Sequence, residues 1–205
     1  MAQFDSSHSP SDEELLARFK QGETESFGQL VRRYERELYG YLRRYLGDEA
    51  LAEDIFQNTF LQLYQKLDQY ETGRPVRPWL YTIATHQAID ALRRAGRRPT
   101  VSLDQTRETD VNGASHSLLD LLEARPDEPS EQMEAEERRE RVRTVVAELP
   151  DHLRSTLLLA YFQGLKYREI ADILKIPVGT VKSRLHAALF KLQEALKQSF
   201  SEEEV

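Results

Sequence analysis

The stretch YREIADILKIPVGTVKSRLHAALFKLQEAL, residues 167–196, decides the fold of the second half of this chain. Its first eight residues, Tyr167 to Leu174, place apolar side chains at helical spacing and predict a short helix. Pro177 cannot continue that helix, Gly179 permits a tight turn, and Thr180 can cap a second helix. Two short helices separated by a break of this length are typical of a helix-turn-helix.

The second helix, predicted from Thr180 to about Gln198, separates into two faces at about 100° per residue. One face is apolar and is predicted to lie in the core: Val181, Leu185, Ala188, Leu189, Leu192 and Leu196. The opposite face holds Ser183, His186, Ala187 and Phe190, flanked by Lys182, Arg184 and Lys191. A recognition helix in a major groove presents such a face. The alternative is an amphipathic bundle helix with a basic solvated side, and the preceding turn favours DNA binding.

The rest of the chain also predicts helices and no strand. Ser11 and Glu14 form a capping-box pattern that opens a helix from Asp12 to Lys20. Further helices are predicted at Glu25–Leu46, from the Asp48 cap to about Leu67, at Trp79–Arg94, Glu131–Leu149 and Leu153–Gln163. The prolines at 75 and 78 indicate a loop before the fourth helix. The predicted fold class is therefore all-α.

Composition excludes several classes of protein. The 205 residues include no cysteine, so disulfides, thiolate zinc sites and cysteine nucleophiles are excluded. No apolar run reaches the roughly 20 residues that a membrane span needs, and residues 1–10 lack the pattern of a signal peptide. We expect a soluble, cytoplasmic protein without membrane insertion. The five histidines have no metal-ligand spacing, and no phosphate loop or nucleophile motif is present, so neither an enzyme nor a cofactor is predicted.

The net charge of −7 is unevenly distributed. Residues 31–99 carry +3 and residues 141–205 carry +2, whereas residues 1–30 carry −4 and residues 100–140 carry −8. The acidic segment lacks helical periodicity, which predicts a flexible linker, and its leucines at 118–122 could form a short docking turn. The pattern predicts two small helical domains on an acidic tether.

The third helix carries one apolar residue in a polar stripe. Its outer face holds Asp54, Gln57, Asn58, Leu61 and Gln65. An apolar anchor with a polar rim suits a protein–protein contact. A solvated surface with one stray leucine is the alternative.

The stretch ETGRPVRPWLYTIATHQAIDALRRAGRR, residues 71–98, combines cations with aromatic and polar side chains. Six arginines bracket Trp79, Tyr81, Thr85, His86 and Gln87, a combination that suits single-stranded or distorted DNA. The alternative is that Trp79 and its neighbours pack in the core.

Three segments together resemble the extracytoplasmic-function (ECF) group of bacterial sigma-70 factors. AEDIFQNTFLQLYQKL is similar to the group's polymerase-clamp helix, RPWLYTIATHQAIDALRR to its −10 segment, and LPDHLRSTLLLAYFQGLKYREIADILKIPVGTVKSRLHAAL to its −35-reading domain. Asn58 stands where an acidic residue is usual, and Thr85-His86 replaces a frequent Arg-Asn pair.

The resemblance implies a transcription initiation factor that binds core RNA polymerase, through its β′ clamp and β flap, and reads promoter DNA. It implies polymerase contacts at the third-helix stripe of Asp54, Gln57, Asn58, Leu61 and Gln65. The −10 contacts would be Arg74, Arg77, Trp79, Tyr81, Thr85, His86, Arg93 and Arg94. The −35 contacts would be Arg168, Thr180, Lys182, Ser183, Arg184 and His186, with Lys182 and Arg184 mainly on phosphates. An anti-sigma factor is a further expected partner.

The predicted organisation has five parts. A disordered tail covers residues 1–10, sigma region 2 residues 11–98, the linker residues 99–130, sigma region 4 residues 131–198, and an acidic tail residues 199–205. The alternative function is a stand-alone helix-turn-helix regulator, which would bind an operator without polymerase.

Overall fold

Every regular element in the described part of the chain is helical. The structure is a computed structural model that describes residues 9–71, 73–96 and 129–201. The first group of helices, which we term the N-terminal unit, comprises α1 (Asp12–Lys20), α2 (Thr24–Leu46), α3 (Glu49–Gln65), a 3₁₀ turn (Leu67–Gln69) and α4 (Val76–Arg94). The second group, the C-terminal unit, comprises α5 (Pro129–Glu148), α6 (Asp151–Leu157), a π-helical turn (Leu158–Phe162), α7 (Tyr167–Leu174) and α8 (Val178–Ser201). The predicted all-α class is confirmed.

Local capping groups fix the ends of the first helices. The amide of Glu14 donates to Ser11 Oγ at 3.2 Å, and the amide of Ser11 donates to Glu14 Oε2 at 2.9 Å, so the predicted capping box is confirmed. Gly47 takes a left-handed conformation with φ 67° and ends α2. Asp48 then caps α3 by accepting the Leu51 amide at 3.0 Å.

The fourth helix starts earlier than predicted. It begins at Val76 rather than Trp79, so Pro78 lies inside its first turn instead of in the preceding loop. A proline is tolerated there because the first amides of a helix have no partner within the helix. The Val76 amide donates instead to Glu13 Oε1 of α1 at 3.0 Å, which supplies the missing partner.

The helix-turn-helix is present, but its turn is built differently from the prediction. Its first helix has the predicted bounds, whereas α8 begins at Val178 and therefore contains both Gly179 and Thr180. The left-handed residue is Lys175, with φ 54° and ψ 48°. The prediction that Gly179 makes the turn and Thr180 caps the helix was therefore wrong, because the left-handed residue of the turn lies four positions before Gly179 and both residues are already inside α8.

The predicted single helix from Leu153 to Gln163 is also interrupted. It is α-helical to Leu157 and then continues as a π-helical turn, in which the Gln163 amide donates to Leu158 O at 3.1 Å. Gly164, with φ 61°, ends this segment. π turns of this kind occur frequently at functional sites.

The buried side chains of both units form one continuous core. In the N-terminal unit the core includes Leu38, Leu42, Leu63, Leu80 and Tyr81, and in the C-terminal unit Leu158, Ile170, Ile173, Val181 and Leu185. The two units are in contact where α7 packs against α4 and the π turn packs against α2. No pattern in the sequence indicated this packing.

Several predictions fall wholly or partly outside the described residues. These are the tail before residue 9, Arg97 and Arg98, residues 97–128 with the leucines at 118–122, and residues 202–205. The predicted domain boundaries remain predictions. Among the helices that the structure describes, none is long and apolar enough to cross a membrane.

Candidate partner and nucleic-acid interfaces

The outer face of α3 forms a continuous exposed stripe. All five predicted residues, Asp54, Gln57, Asn58, Leu61 and Gln65, are exposed, and 54% of Leu61 is accessible. The opposite face of the helix is buried through Ile55, Thr59 and Leu63, and Thr59 Oγ1 donates to Ile55 O at 2.7 Å. A leucine so exposed beside a well-buried face is a candidate anchor for a partner protein.

A second apolar side chain, which the sequence pattern did not indicate, widens this stripe. Tyr64 lies one helical turn after Leu61 and is 57% exposed. Its ring packs edge-on against Phe27, with centroids 6.1 Å apart, and contacts Phe19 at 5.8 Å. These contacts fix the ring, so Leu61 and Tyr64 present an ordered apolar pair. The spacing of three residues could have revealed it.

The loop before α4 and the start of that helix line a cleft of about 320 Å³. Trp79 forms one wall and stacks on Tyr70, with ring centroids 5.2 Å apart and planes inclined by 25°. The Tyr70 hydroxyl donates to Arg74 O, and Lys20 Nζ donates to Tyr70 O at 3.0 Å. The stacked pair therefore has its orientation fixed from α1 and from the loop. Tyr70 was not among the predicted site residues.

The predicted −10 residues separate into three groups by exposure. Arg74, Arg93 and Arg94 are exposed, Arg77, Trp79 and His86 are half-buried, and Tyr81 and Thr85 are buried. Arg74 pairs with Glu71 through Nε and Oε2 at 2.7 Å. Arg93 Nη1 donates to Asp90 Oδ1 at 3.4 Å, and Arg94 Nε donates to the main-chain oxygen of Asp90 at 3.3 Å. These contacts of the three exposed cations lie at the surface, where water and DNA can replace them.

Arg77 and Tyr81 each contact Glu37 of α2 and also Gln163 of the C-terminal unit. Arg77 forms an ion pair with Glu37, and its Nη2 donates to Gln163 O at 2.7 Å. The Tyr81 oxygen lies 2.7 Å from Glu37 Oε1 and 2.5 Å from Gln163 Oε1. The phenol has one proton, and the carboxylate is the stronger acceptor. Gln163 therefore fits best with its amide nitrogen turned toward the phenol oxygen.

Burial and charge both stabilise the neutral form of Tyr81. Its pKa is raised far above the ordinary tyrosine value, first by burial and then by the hydrogen bond to the Glu37 carboxylate. The pKa of Arg77 is also raised, because Glu37 outweighs the opposing effect of burial. Both groups keep their ordinary charge at neutral pH.

Thr85 and His86 are adjacent in sequence but have different surroundings. Thr85 is buried, and its hydroxyl shares a hydrogen bond of 2.9 Å with the Tyr41 hydroxyl. His86 is half-buried, and its Nε2 lies 2.8 Å from Ile173 O in α7. A carbonyl oxygen only accepts, so Nε2 carries the proton.

The outer face of α8 matches the predicted division into core and surface. Val181, Leu185, Ala188, Leu189 and Leu192 are buried. On the other side, Lys182 is exposed, Thr180, Ser183, Arg184 and His186 are half-buried, and Phe190 is 53% exposed. Ser183 Oγ donates to Thr180 O at 3.1 Å. Arg168, at the start of α7, is exposed. The predicted −35 residues therefore lie on the accessible side of the helix-turn-helix.

Two family models match this chain. The model for Sigma-70 region 2 matches residues 30–98, which hold α3, the cleft loop and α4. The model for Sigma-70, region 4 matches residues 139–192, which hold the helix-turn-helix.

Curated relatives and solved structures are similar over nearly the whole chain. The RNA polymerase sigma-H factor of Pseudomonas aeruginosa is 31% identical over 186 residues, covering 91% of this chain and 94% of that protein. The ECF RNA polymerase sigma factor SigW of Bacillus subtilis is 31% identical over 183 residues, covering 89% and 95%. Among solved structures, CnrH in complex with the cytosolic domain of CnrY has a TM-score of 0.64 at 22% identity, covering 92% of this chain and 99% of CnrH.

A second solved structure has the same fold. The sigma factor RpoE, in complex with the anti-sigma factor NepR from Bartonella quintana, has a TM-score of 0.58 at 23% identity, covering 88% of this chain and 97% of RpoE. With region 2 and region 4 in order, and with relatives that match it almost end to end, the chain belongs to the sigma-70 family, in its ECF group, and is a transcription initiation factor.

Proposed function

We propose that this chain binds core RNA polymerase through the stripe on α3 and directs it to promoters with two separate DNA-reading surfaces. The observation that carries this proposal is Leu61, which is 54% exposed at the centre of a polar stripe on a helix whose other face is core. An isolated domain gains nothing from such a residue in water, whereas a clamp that covers it gains an apolar anchor. Tyr64 extends the same contact.

The cleft beside α4 is the proposed site for an unstacked base of the −10 element. Trp79, which is half-buried in the cleft wall and stacks on the buried Tyr70, offers an aromatic surface, and aromatic stacking binds bases without requiring a duplex. The exposed cations Arg74, Arg93 and Arg94 would contact phosphates. Because Tyr81 and Thr85 are buried, we assign them to holding the shape of this face.

The outer face of α8 is the proposed reader of the −35 element. Ser183 and His186 lie between flanking cations on the accessible side of α8. Since the Ser183 hydroxyl donates its proton to Thr180 O, its oxygen can accept from a base edge in a major groove, and His186 can donate to one. We assign contacts with the sugar-phosphate backbone of the DNA mainly to Lys182, Arg184, Arg168 and Thr180. We also propose that the C-terminal unit contacts the β flap of the polymerase.

The net charge of −7 fits a subunit that acts on DNA only within a larger assembly. Affinity for DNA without sequence preference comes from cations that contact phosphates. In this chain the 28 lysines and arginines are outnumbered by 35 acidic residues. The polymerase would supply most of these contacts, in the cytoplasm. We also propose an anti-sigma factor as a regulatory partner, since RpoE of Bartonella quintana is held by one in its crystal structure.

Selection of DNA from a random duplex library tests this proposal. The chain bound to core polymerase is expected to enrich two short elements at a fixed spacing, because two rigidly mounted units read them. The chain alone is expected to enrich nothing at the same salt concentration. Enrichment of one operator sequence by the chain alone would identify a stand-alone regulator and contradict the proposal.

A further inference from the structure

A large apolar side chain lies in the middle of the outer face of α8. Phe190 is 53% exposed, and it is not among the residues that the family resemblance assigned to −35 DNA. At about 100° per residue, Phe190 comes within about 20° of Ser183 around the helix axis and within about 40° of His186. The ring therefore projects from the same face as the two side chains proposed to read bases.

The surroundings of this ring are polar and basic. The exposed Lys182 and Lys191 and the half-buried Arg184 flank the face on its two sides. Cations in this arrangement favour the phosphates that border a DNA groove, whereas an apolar protein surface would have to bury them at a cost. Charge complementarity therefore indicates DNA, rather than an apolar partner protein, as the occupant of the space above Phe190.

The major groove presents one apolar group to a protein, the C5 methyl group of thymine. Phenylalanine is among the side chains that contact this methyl group, because the removal of both apolar surfaces from water is favourable. Ala187, beside the ring on the same face, is small and lets the helix approach the bases closely. One large apolar ring between polar side chains thus matches one methyl group between the donors and acceptors of the base edges.

The basic part of the face ends just beyond Phe190. Glu194 lies one turn further along α8, about 40° from Phe190 around the axis, and is exposed. Its carboxylate repels phosphates, so DNA is not expected to follow the helix past this turn. Phe190 is therefore the last side chain on the midline of the face that suits DNA, and its contact falls at one boundary of the element.

We propose that Phe190 is a further specificity-determining residue, which contacts the C5 methyl group of a thymine at the boundary of the −35 element. This inference rests on the proposed function, because it takes α8 as the reader of that element. A rise of 1.5 Å per residue places Phe190 about 10 Å along the axis from Ser183, which spans about three base pairs at 3.4 Å each. The thymine is therefore expected about three base pairs from the base that Ser183 contacts.

Deoxyuridine in place of thymidine tests this contact, because uracil lacks only the C5 methyl group and keeps every hydrogen-bonding group of thymine. The complex of core polymerase with the full chain is titrated with duplexes that carry the −35 element found by the library selection, with each thymine replaced in turn. We expect one thymine, at the stated distance, where loss of the methyl group raises the dissociation constant about fourfold. This ratio corresponds to about 0.8 kcal/mol, the burial of about one methyl group.

Substitutions of Phe190 assign the effect to its ring. Phe190→Ala should bind the thymine duplex about fourfold more weakly than wild type and should not distinguish thymine from uracil at that position. Phe190→Leu, which keeps an apolar side chain, should retain part of the difference. Two controls should retain the full difference: Gln193→Ala, at an exposed uncharged position beyond the contact, and Lys191→Ala, which should weaken binding to both duplexes alike.

A second measurement does not depend on any substitution. A 5-iododeoxyuridine at the same position places an iodine atom where the methyl group was, and under ultraviolet light it cross-links to aromatic side chains in contact with it. We expect the cross-linked peptide to carry the base on Phe190. A cross-link confined to another residue would overturn the inference.

The inference and the proposed function can fail separately. Suppose that the complex selects a −35 element, but that no thymine lies at this distance on either strand, or that Phe190→Ala keeps the full preference for thymine over uracil. The methyl contact is then refuted, and the proposed function stands. The same holds if Phe190→Ala weakens binding to core polymerase and leaves DNA binding unchanged, since the ring would then be a protein contact. If the complex selects no −35 element, the proposed function fails, and the inference fails with it.

Discussion

His86 Nε2 in α4 lies 2.8 Å from the main-chain oxygen of Ile173 in α7, although the two residues are 87 positions apart in the sequence. The first belongs to the region 2 match and the second to the region 4 match. One side chain that sequence analysis assigned to promoter DNA is thus bound to the other half of the protein. The contact links the two units at the point where the −10 surface was expected.

The stripe on α3 gives the sharpest prediction about polymerase binding. Leu61→Asp places a charge at the exposed apolar centre of the stripe, where a partner would have to bury it. We expect the dissociation constant for core polymerase to rise at least about 30-fold, as for a residue that carries about 2 kcal/mol of binding free energy. Titration of labelled chain with core polymerase measures it.

The stability of this variant separates an interface effect from an unfolding effect. The free energy of unfolding should stay within the small range of ordinary surface substitutions, about 0.5 kcal/mol. Leu63→Ala, at a buried position two residues later, should instead lose about 2–5 kcal/mol of stability. Binding of Leu61→Asp at wild-type affinity would remove α3 as the polymerase contact.

The −35 surface separates base recognition from phosphate binding. Replacing Ser183 and His186 with alanine should lower the preference for the cognate −35 element over random duplex by about 1–3 kcal/mol for each base-edge hydrogen bond that the alanine removes. Lys182→Ala should weaken binding to both duplexes alike and reduce the salt slope by about one. Competition binding of the polymerase complex at several salt concentrations gives both quantities. If the two alanine substitutions weakened binding to both duplexes equally, Ser183 and His186 would contact only the sugar-phosphate backbone of the DNA.

The turn of the helix-turn-helix contains backbone strain that a glycine should relieve. Lys175 has φ 54° and ψ 48°, a left-handed conformation that side chains with a Cβ atom disfavour. We expect Lys175→Gly to raise the free energy of unfolding by about 0.5–1 kcal/mol, after allowance for the flexibility of glycine in the unfolded chain. Lys175→Ala should give no such gain. Chemical denaturation of the three proteins measures the difference, and a loss of stability in the glycine variant would show that the lysine side chain matters more than the strain.

Alkaline pH should destabilise the packing of the two units. Burial, and after it the nearby Asp151 carboxylate, raises the pKa of Tyr45 to about 12. A raised folded-state pKa means that the neutral phenol favours folding below about pH 10, and that this contribution is lost as the pH rises toward 12. For this group the unfolding free energy should change little between pH 8 and pH 10 and should fall by up to about 1.4 kcal/mol from pH 10 to pH 11. Tyr45→Phe should make the decline less steep without removing it, because Tyr81, whose pKa is also raised, contributes over the same range. An equally steep decline without the Tyr45 phenol would assign the effect to the other tyrosines.

Helix boundaries were predictable where one residue type has one physical consequence. Ser11 with Glu14, Gly47 and Asp48 each marked an end of a helix within a residue or two, because caps act over a single turn. The turn after α7 was misplaced because glycine was taken as the obvious left-handed residue, whereas Lys175 adopts that conformation. Tertiary packing can impose such strain, and no local rule reveals it.

The sequence predicted which helix faces are exposed, but it did not predict the contacts between the two units. Helical periodicity correctly placed Leu61 and Lys182 on exposed faces, since exposure follows from the 3.6-residue repeat. Periodicity did not reveal that Arg77, Tyr81 and His86 contact the C-terminal unit, because that depends on how two amphipathic units pack. The π turn that supplies Gln163 has no sequence signature of its own.

Run-off transcription with purified core polymerase tests the central claim most directly. We predict transcripts that start at one fixed distance from a promoter with two elements when the chain and core polymerase are both present. Omission of either component, or substitution of Leu61→Asp, should abolish them. The account would be contradicted if core polymerase with the wild-type chain started no specific transcript while the chain alone bound an operator duplex.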